Sequence, residues 1–176
     1  MRAFLAVFLC LASAHAAAGS FFRDEDPDAP KWREEDSVLP SFPQEKDLLE
    51  FYVSAVASNR FYVDASTLEV TKDGVVRYTL VVKAAGGATN ITREGIRCGT
   101  REYRLYASGR SDGTWAKTRV EDWRPIENKP VNRHHAALSK DLFCPDGVPV
   151  ADAEDGRRAL RQGGNHDAGG SSGGVR

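Results

Sequence analysis

The sequence is poor in cysteine, carries no excess of either charge and has no long apolar run beyond its first 18 residues. Its three cysteines among 176 residues are too few for a small disulfide-rich scaffold. The 24 Lys and Arg residues against 25 Asp and Glu residues exclude a general nucleic-acid binder, which requires a basic excess. Aromatic residues make up 9% of the chain, which argues against wholesale disorder. We therefore expect one modest domain with no nucleic-acid partner and no transmembrane segment in the mature chain.

Residues 1–18 have the pattern of a secretory signal peptide. Fifteen of them are apolar, Arg2 supplies a short positive start, and the central apolar run is 11 residues long. That run is too short for the ~20 residues that span a membrane. Small residues mark two cleavage points, after Ala16 and after Ala18. The pattern predicts export to the periplasm, or alternatively to the extracellular medium, and Cys10 is removed with the signal.

Two polar stretches flank the predicted domain. Residues 23–36 hold seven acidic residues, which favours a solvated, extended lead-in, and we expect residues 19–31 to be flexible. Residues 151–176 hold seven glycines and almost no large apolar groups, so a disordered tail is predicted there. A single folded domain is therefore expected over residues 32–150.

Alternation of apolar and polar residues with period two dominates the predicted domain. The clearest strand places Val76, Tyr78, Leu80 and Val82 on one face. Glycine after a polar or small residue predicts tight turns, because glycine accepts a positive φ. These turn signals are Asp73-Gly74, Gly86-Gly87 and Asp112-Gly113. The pattern is typical of antiparallel strands joined by short hairpins.

After Pro130 the period changes, and Asn132 can cap a short helix that ends near Leu142. Ala137 and Leu138 would share its buried side with Leu142. The prediction is an α+β fold, a mostly antiparallel sheet of about six strands with one short C-terminal helix packed on one face. A β-sandwich or a partly open barrel is the alternative.

Two cysteines remain after removal of the signal, Cys98 and Cys144. In an exported protein an even pair predicts a disulfide, and the absence of a Cys-x-x-Cys motif argues against a redox pair. Two lone cysteines without placed histidines also make a poor zinc site. Closing the loop between them would stabilise the fold by about 4 kcal/mol in the chain-entropy model.

Several short motifs follow one another in a specific order. The longest are Asp-Gly-Val-Val-Arg-Tyr-Thr at residues 73–79 and Glu-Gly-Ile-Arg-Cys at residues 94–98. The others are Ser66-Thr67-Leu68, Asp112-Gly113-x-Trp115, Trp123 and Phe143-Cys144. Together they resemble the cryptic neisserial protein-like family over residues 32–145, with Arg93 standing where an aromatic residue is expected. The resemblance implies an exported protein of Gram-negative bacteria and supplies no mechanism.

No catalytic or metal-binding constellation emerges from the sequence. Residues 109–113 match Gly-x-Ser-x-Gly around Ser111, but they lie between two predicted strands, whereas that motif needs a strand-to-helix turn. His134 and His135 are adjacent, so on a helix they point about 100° apart and do not easily bind one ion together. We predict no catalytic residues, no metal and no cofactor. If the protein is an enzyme, its catalytic residues must be dispersed along the sequence.

Charged residues inside the predicted strands allow one candidate ligand site. A solvated sheet face with cross-strand ion pairs explains them most simply. Alternatively, Arg77 and Arg97 bind a small anionic ligand, since arginine can bind carboxylate or phosphate through two parallel hydrogen bonds. A bulge at Gly95 would turn both Ile91 and Ile96 inward and re-aim Arg97, and the neighbouring disulfide would stiffen the site.

The sequence therefore favours an exported, periplasmic, non-enzymatic module that binds a ligand or takes part in an envelope interaction. The partners expected are an envelope protein or the small anionic ligand of Arg77 and Arg97. An exposed sheet edge could provide the protein contact. A hydrolytic enzyme with dispersed catalytic residues is the alternative.

Overall fold

The computed structural model describes residues 31–130 and 132–163. The predicted signal peptide lies outside these residues, as do almost all of the predicted flexible lead-in and the chain from residue 164 onward. No helix in the described part of the chain is long and apolar enough to cross a membrane.

Within the described residues, eight antiparallel strands form one open sheet. They are β1 (Leu48–Phe51), β2 (Arg60–Asp64), β3 (Glu69–Val70), β4 (Val75–Lys83), β5 (Thr89–Arg97), β6 (Glu102–Gly109), β7 (Trp115–Lys117) and β8 (Arg124–Pro125). Six lie side by side in the order β1-β2-β4-β5-β6-β7, while β3 pairs with β4 and β8 pairs with β6. The α+β prediction is confirmed. The sheet has more strands than expected, and β8 has only two residues, too few to show alternation in the sequence.

The predicted turns close three hairpins. Gly74 joins β3 to β4 at φ +80°, and Gly113 joins β6 to β7 at φ +81°. Both angles lie in the left-handed region, which glycine adopts without steric cost. The Gly86-Gly87 turn joins β4 to β5. The three turn predictions are confirmed.

A helix follows the last strand, as the sequence predicts. It consists of α1 (Arg133–Ala137) and a π-helical segment (Leu138–Phe143), and it ends at Cys144. Two single 3-10 turns, Glu45–Asp47 and Pro145–Gly147, lie elsewhere. The residues expected on the buried side of the helix are buried: Ala137, Leu138 and Leu142.

A second helix, α2 (Ala153–Gln162), lies where the glycine count predicts a disordered tail. The Asp152 side chain accepts two hydrogen bonds from backbone N–H groups of the first turn and so caps the helix. Leu160 is buried in the core. The tail prediction is therefore wrong for residues 151–162, because six of the seven glycines lie at Gly163 or beyond.

One face of the sheet packs against the helices and forms the core. Val76, Tyr78 and Leu80 of β4 belong to it, as alternation predicts, and Ile96 of β5 joins them because it pairs directly with Val76. The helical residues packed against them include Leu138, Leu142 and Phe143. Burial of these side chains supplies the main apolar contribution to stability.

A disulfide between Cys98 and Cys144 confirms the predicted pairing. It joins the residue after β5 to the residue after the π-helical segment, across a sequence separation of 46. Both residues belong to the core, at 0% and 4% exposure. The disulfide therefore ties the helix to the centre of the sheet.

The opposite face of the sheet is covered by the chain that enters the domain, residues 32–43, which we call the entry segment. The Trp32 Nε1–H group donates to the Asp73 carbonyl at 2.7 Å. The Trp115 Nε1–H group donates to the Pro40 carbonyl at 2.9 Å. These bonds attach the entry segment at both of its ends.

The predicted bulge at Gly95 is wrong. The pairing of β5 with β4 keeps one continuous register, so Ile91 and Ile96 stay on opposite faces. The irregularity lies in the pairing of β5 with β6, where Tyr106 is the extra residue. Gly95 serves a different purpose, because a Cβ at this position would lie 2.6 Å from the Tyr106 hydroxyl oxygen.

Candidate functional site

Arg77, the first residue of the predicted anion site, lies buried beneath the entry segment. Its Nη2 atom donates to Asp73 Oδ2 at 2.9 Å and to the Glu35 carbonyl at 2.7 Å. A Glu34 carboxylate oxygen lies 3.7 Å from the same nitrogen. The guanidinium is thus already paired within the protein, which argues against Arg77 as a ligand for a bound anion.

Arg97, the second residue of that predicted site, lies on the same sheet face as Arg77. Its guanidinium carbon is 3.9 Å from the centroid of the Trp32 ring, and a guanidinium nitrogen is 3.8 Å from the Glu102 carboxylate. The contact with Trp32 holds the start of the entry segment. Ligand binding by Arg97 stays a prediction. The geometry favours another role for Arg77 and Arg97, which is to anchor the entry segment to the sheet.

Glu34 is the strongest anchor of the entry segment. Its carboxylate accepts a hydrogen bond from the Tyr106 hydroxyl at 2.6 Å and one from Trp123 Nε1–H at 3.2 Å, and it pairs with Arg104 at 2.5 Å. Burial and the Glu34 carboxylate raise the pKa of Tyr106 above its ordinary value. The expectation of a solvated lead-in is therefore wrong for Glu34, whose hydrogen-bond partners lie at least 70 residues later in the chain.

On the other face of the sheet, Glu94 is a carboxylate buried in the core. Its Oε2 atom accepts a hydrogen bond from the Tyr78 hydroxyl at 2.9 Å and lies 2.9 Å from His135 Nε2. Its Oε1 atom accepts from the Thr92 hydroxyl at 2.8 Å. Burial alone would raise the pKa of Glu94, but the hydrogen bond and charge of His135, together with the charge of His134 and the Thr92 hydrogen bond, lower it. Glu94 is therefore an ionised group with hydrogen-bond partners on both oxygens.

His135 completes the pair from the helix side. Because an ionised carboxylate can only accept, His135 Nε2 carries the proton that is shared with Glu94. The imidazole stacks on Tyr103 with 3.8 Å between ring centroids. His135 Nδ1 is buried and has no hydrogen-bond partner among the described residues. A buried nitrogen without a partner is unusual in a folded protein, and a bound water or ligand is one arrangement that would satisfy it.

A pocket of about 270 Å³ opens beside the Glu94–His135 pair. Both members of the pair line it, together with Tyr103, Leu105, Val120, Asp122 and Arg124. The pocket thus combines apolar walls with a few fixed polar groups, which is typical of small-molecule sites. Its volume suits a small ligand.

The other candidate groups do not form a site. Ser111 lies exposed at the tip of the β6–β7 hairpin, where the Asp112 carboxylate accepts from the Thr114 backbone N–H at 3.0 Å. The turn interpretation of residues 109–113 is confirmed. Across residues 31–130 and 132–163, no group of three or more His, Cys, Asp or Glu side chains is placed to hold a metal ion.

A comparison with family models matches residues 27–161 of the chain. The chain belongs to the CNP1-like family. The cryptic neisserial protein-like family inferred from the motifs is compatible with this match. Comparisons with curated proteins and with solved structures found no match. The CNP1-like region contains Glu94, His135 and all but the last residue of α2, so it extends beyond the predicted domain end at residue 150.

Two signals for this site are present in the sequence, one in β5 and one in the helix that follows Pro130. Glu94 has the same strand parity as Ile96, so simple alternation places it in the core; the assumed bulge at Gly95 hides this. His135 lies three residues before Leu138 and seven before Leu142, which puts it on the buried helix side.

His134, the neighbour of His135, makes the stability of this region depend on pH. Its ring stacks on Phe61 with 5.4 Å between centroids. Burial, with a smaller contribution from His135, lowers the pKa of His134 to about 4 from 6.5. The unfolded chain therefore binds more protons than the folded chain between these values, and stability rises with pH across that window.

Replacing His134 by glutamine is expected to flatten this dependence. For the unsubstituted protein, acidification from pH 7 to 5 should remove about 2 kcal/mol through His134. Urea unfolding at both pH values measures the loss. The variant should show little decline between pH 7 and 5, because the pKa of Glu94 is lowered from 4.5 and its contribution is lost only at more acidic pH. An identical decline in His134→Gln and unsubstituted protein contradicts the assignment.

Proposed function

We propose that this member of the CNP1-like family is an exported periplasmic binding protein, non-enzymatic, that holds a small ligand in the pocket beside Glu94 and His135. The observation that carries the proposal is the unpartnered, buried Nδ1 of His135 in a residue that lines the pocket. A ligand acceptor can satisfy this nitrogen when the imidazole is charged, and a ligand donor can do so when it is neutral. Tyr103, Leu105 and Val120 offer apolar contacts to the rest of such a ligand.

Binding is favoured over catalysis by the state of Glu94. Its two oxygens already accept from Tyr78 and Thr92 and pair with His135. A carboxylate held in this way orients an imidazole and fixes the floor of a pocket. In the described part of the chain the pocket lining offers threonine hydroxyls but no serine or cysteine nucleophile.

A hydrolytic enzyme is the second candidate, and one observation favours it. When a carboxylate accepts a hydrogen bond from the N–H of a neutral imidazole, the other ring nitrogen keeps a free lone pair. That nitrogen can then act as a general base. The Glu94–His135 pair has this arrangement. In such an enzyme His135 would activate a water molecule against the bound substrate.

Native mass spectrometry of the protein purified from the periplasm tests the binding proposal. The unsubstituted protein should carry a small non-covalent adduct. Leu105→Trp, which fills the pocket, should lose the adduct, whereas Val56→Trp should keep it because Val56 is 83% exposed and lies away from the pocket lining. An adduct retained in Leu105→Trp contradicts the site. Ester hydrolysis that disappears in His135→Gln would instead support the enzyme.

N-terminal sequencing of the purified protein tests the predicted export. The N-terminus of the purified protein should be Ala17 or Gly19, after cleavage behind Ala16 or Ala18. Purified protein that still begins at Met1, or that carries a lipid on Cys10, contradicts processing as a secretory signal.

A further inference from the structure

A second and larger cavity lies next to the disulfide. It has a volume of about 730 Å³ and shares no lining residue with the pocket beside Glu94. Its walls include Arg101, Asn128, Lys140, Cys144 and Asp146. We call it the disulfide groove. Its volume lies in the range of sites that hold a whole small molecule.

Arg101 adopts a backbone conformation that arginine rarely takes. It is the last residue of the turn between β5 and β6, and its φ is +55°. Its N–H donates to the Cys98 carbonyl at 3.2 Å, and its own carbonyl accepts from the Ile126 N–H at 2.9 Å, so the conformation is held from both sides. Glycine or asparagine would adopt this φ at lower cost. The presence of arginine is therefore unfavourable for the turn itself and points to a use for its side chain.

The groove carries two cationic side chains without protein partners. Arg101 and Lys140 are exposed, and neither side chain forms an ion pair or hydrogen bond within the described residues. Asp146 is the acidic residue in the groove lining, which leaves one net positive charge there. By contrast, Arg60, Arg77, Arg93 and Arg104 all have carboxylate partners.

The disulfide fixes the two cationic elements relative to each other. Cys98 begins the turn that ends at Arg101, and Cys144 follows the π-helical segment that carries Lys140. The Cα atoms of the two cysteines are 5.4 Å apart. A covalent link between the elements reduces the entropy lost when both side chains bind one ligand.

We propose that the disulfide groove binds a small anionic molecule, with a carboxylate or phosphate group held between Arg101 and Lys140. Arginine and lysine are the side chains that recognise these oxyanions through charge-assisted hydrogen bonds. Asn128 can donate a further hydrogen bond from its amide. This proposal is independent of the pocket beside Glu94, since the two cavities have no residue in common.

Titration of the disulfide-bonded mature protein with citrate, and separately with inorganic phosphate, tests the groove. Isothermal calorimetry gives the affinity, and ¹H–¹⁵N NMR shifts show where each anion binds. We expect saturable binding of either anion, with the largest NMR shifts at residues 99–101 and 144–147. The anion that binds identifies the preferred oxyanion chemistry. Failure of both anions to bind overturns the proposal.

Arg101→Asn separates binding from folding. Asparagine tolerates the left-handed conformation, so the variant should melt at the same temperature or higher, while its dissociation constant for the anion rises at least tenfold. Arg119→Asn is the matched control, because Arg119 is exposed and has no partner among the described residues. It should change the constant less than twofold. Equal losses in both variants would mean unspecific charge attraction and would overturn the site.

Two further substitutions test the charges of the groove one at a time. Lys140→Gln should weaken binding, whereas Lys72→Gln, at an exposed position outside the groove, should not. Asp146→Asn should tighten binding, because it removes the one carboxylate of the lining without straining the positive φ of that residue. Weaker binding in Asp146→Asn contradicts an anionic ligand.

Discussion

Replacing Glu94 by alanine is expected to lower the free energy of unfolding by about 3–5 kcal/mol. The substitution removes the acceptor of the Tyr78 and Thr92 hydroxyls and the partner of His135. Tyr78 and His135 are buried, so their polar atoms lose a protein partner in a poorly solvated place. Urea unfolding at pH 7, followed by circular dichroism, measures the loss.

Glu102→Ala is the matched control for this prediction. Glu102 lies on the same sheet, but it is about a quarter exposed and its ion pair with Arg97 spans 3.8 Å. We expect a change within about 1 kcal/mol, as for other surface pairs. Equal effects of Glu94→Ala and Glu102→Ala would show that the buried contacts of Glu94 stabilise the fold no more than the partly exposed ion pair of Glu102 does.

A double-mutant cycle isolates the pair itself. Glu94→Ala and His135→Ala should together cost less than the sum of their separate effects, because each single variant already breaks the same contact. A coupling energy of about 1 kcal/mol or more is expected for groups in direct contact. Strict additivity would contradict an energetic link between Glu94 and His135.

The sheet face of each residue in β4 could be read from the sequence because it depends on the strand alone. Alternate side chains point to opposite faces, so Val76, Tyr78 and Leu80 had to share one face once the strand was recognised. The turns at Gly74 and Gly113 are equally local. These predictions needed no knowledge of neighbouring strands.

Features that depend on two distant segments could not be read in this way. The extra residue Tyr106 lies in β6, and nothing in β5 reveals it; glycine at position 95 signals a close approach but not which neighbour approaches. Glu34 is likewise indistinguishable from the acids around it until Arg104 is placed beside it. The surroundings of Gly95 depend on the pairing of β5 with β6, and those of Glu34 depend on contacts with residues far along the chain.

The site beside Glu94 was hidden by one incorrect register. A bulge at Gly95 would have turned Glu94 toward solvent, where an ion pair is the ordinary explanation of a strand glutamate. With continuous pairing to β4, Glu94 lies opposite Tyr78 in the core. A one-residue shift reverses every side chain of a strand, so a local error of this kind changes the functional interpretation of the whole motif.

Replacing Cys98 and Cys144 together by alanine is expected to lower the free energy of unfolding by about 4 kcal/mol. The disulfide closes a long loop, and its removal returns that loop-closure entropy to the unfolded chain. This is a large fraction of the ~5–15 kcal/mol that stabilises a typical domain. Urea unfolding of the oxidised protein and of the double variant gives the difference.

Reduced, unsubstituted protein is the control that separates the covalent bond from the packing of the two sulfurs. Both forms lack the link, but the reduced protein keeps the buried side chains of Cys98 and Cys144. Its stability should therefore fall between the oxidised protein and the double variant. Both unlinked forms should also show a larger m-value, because an unfolded chain without the bond exposes more surface. If oxidised and reduced protein unfold at the same urea concentration with the same m-value, the disulfide does not stabilise the fold through its unfolded state.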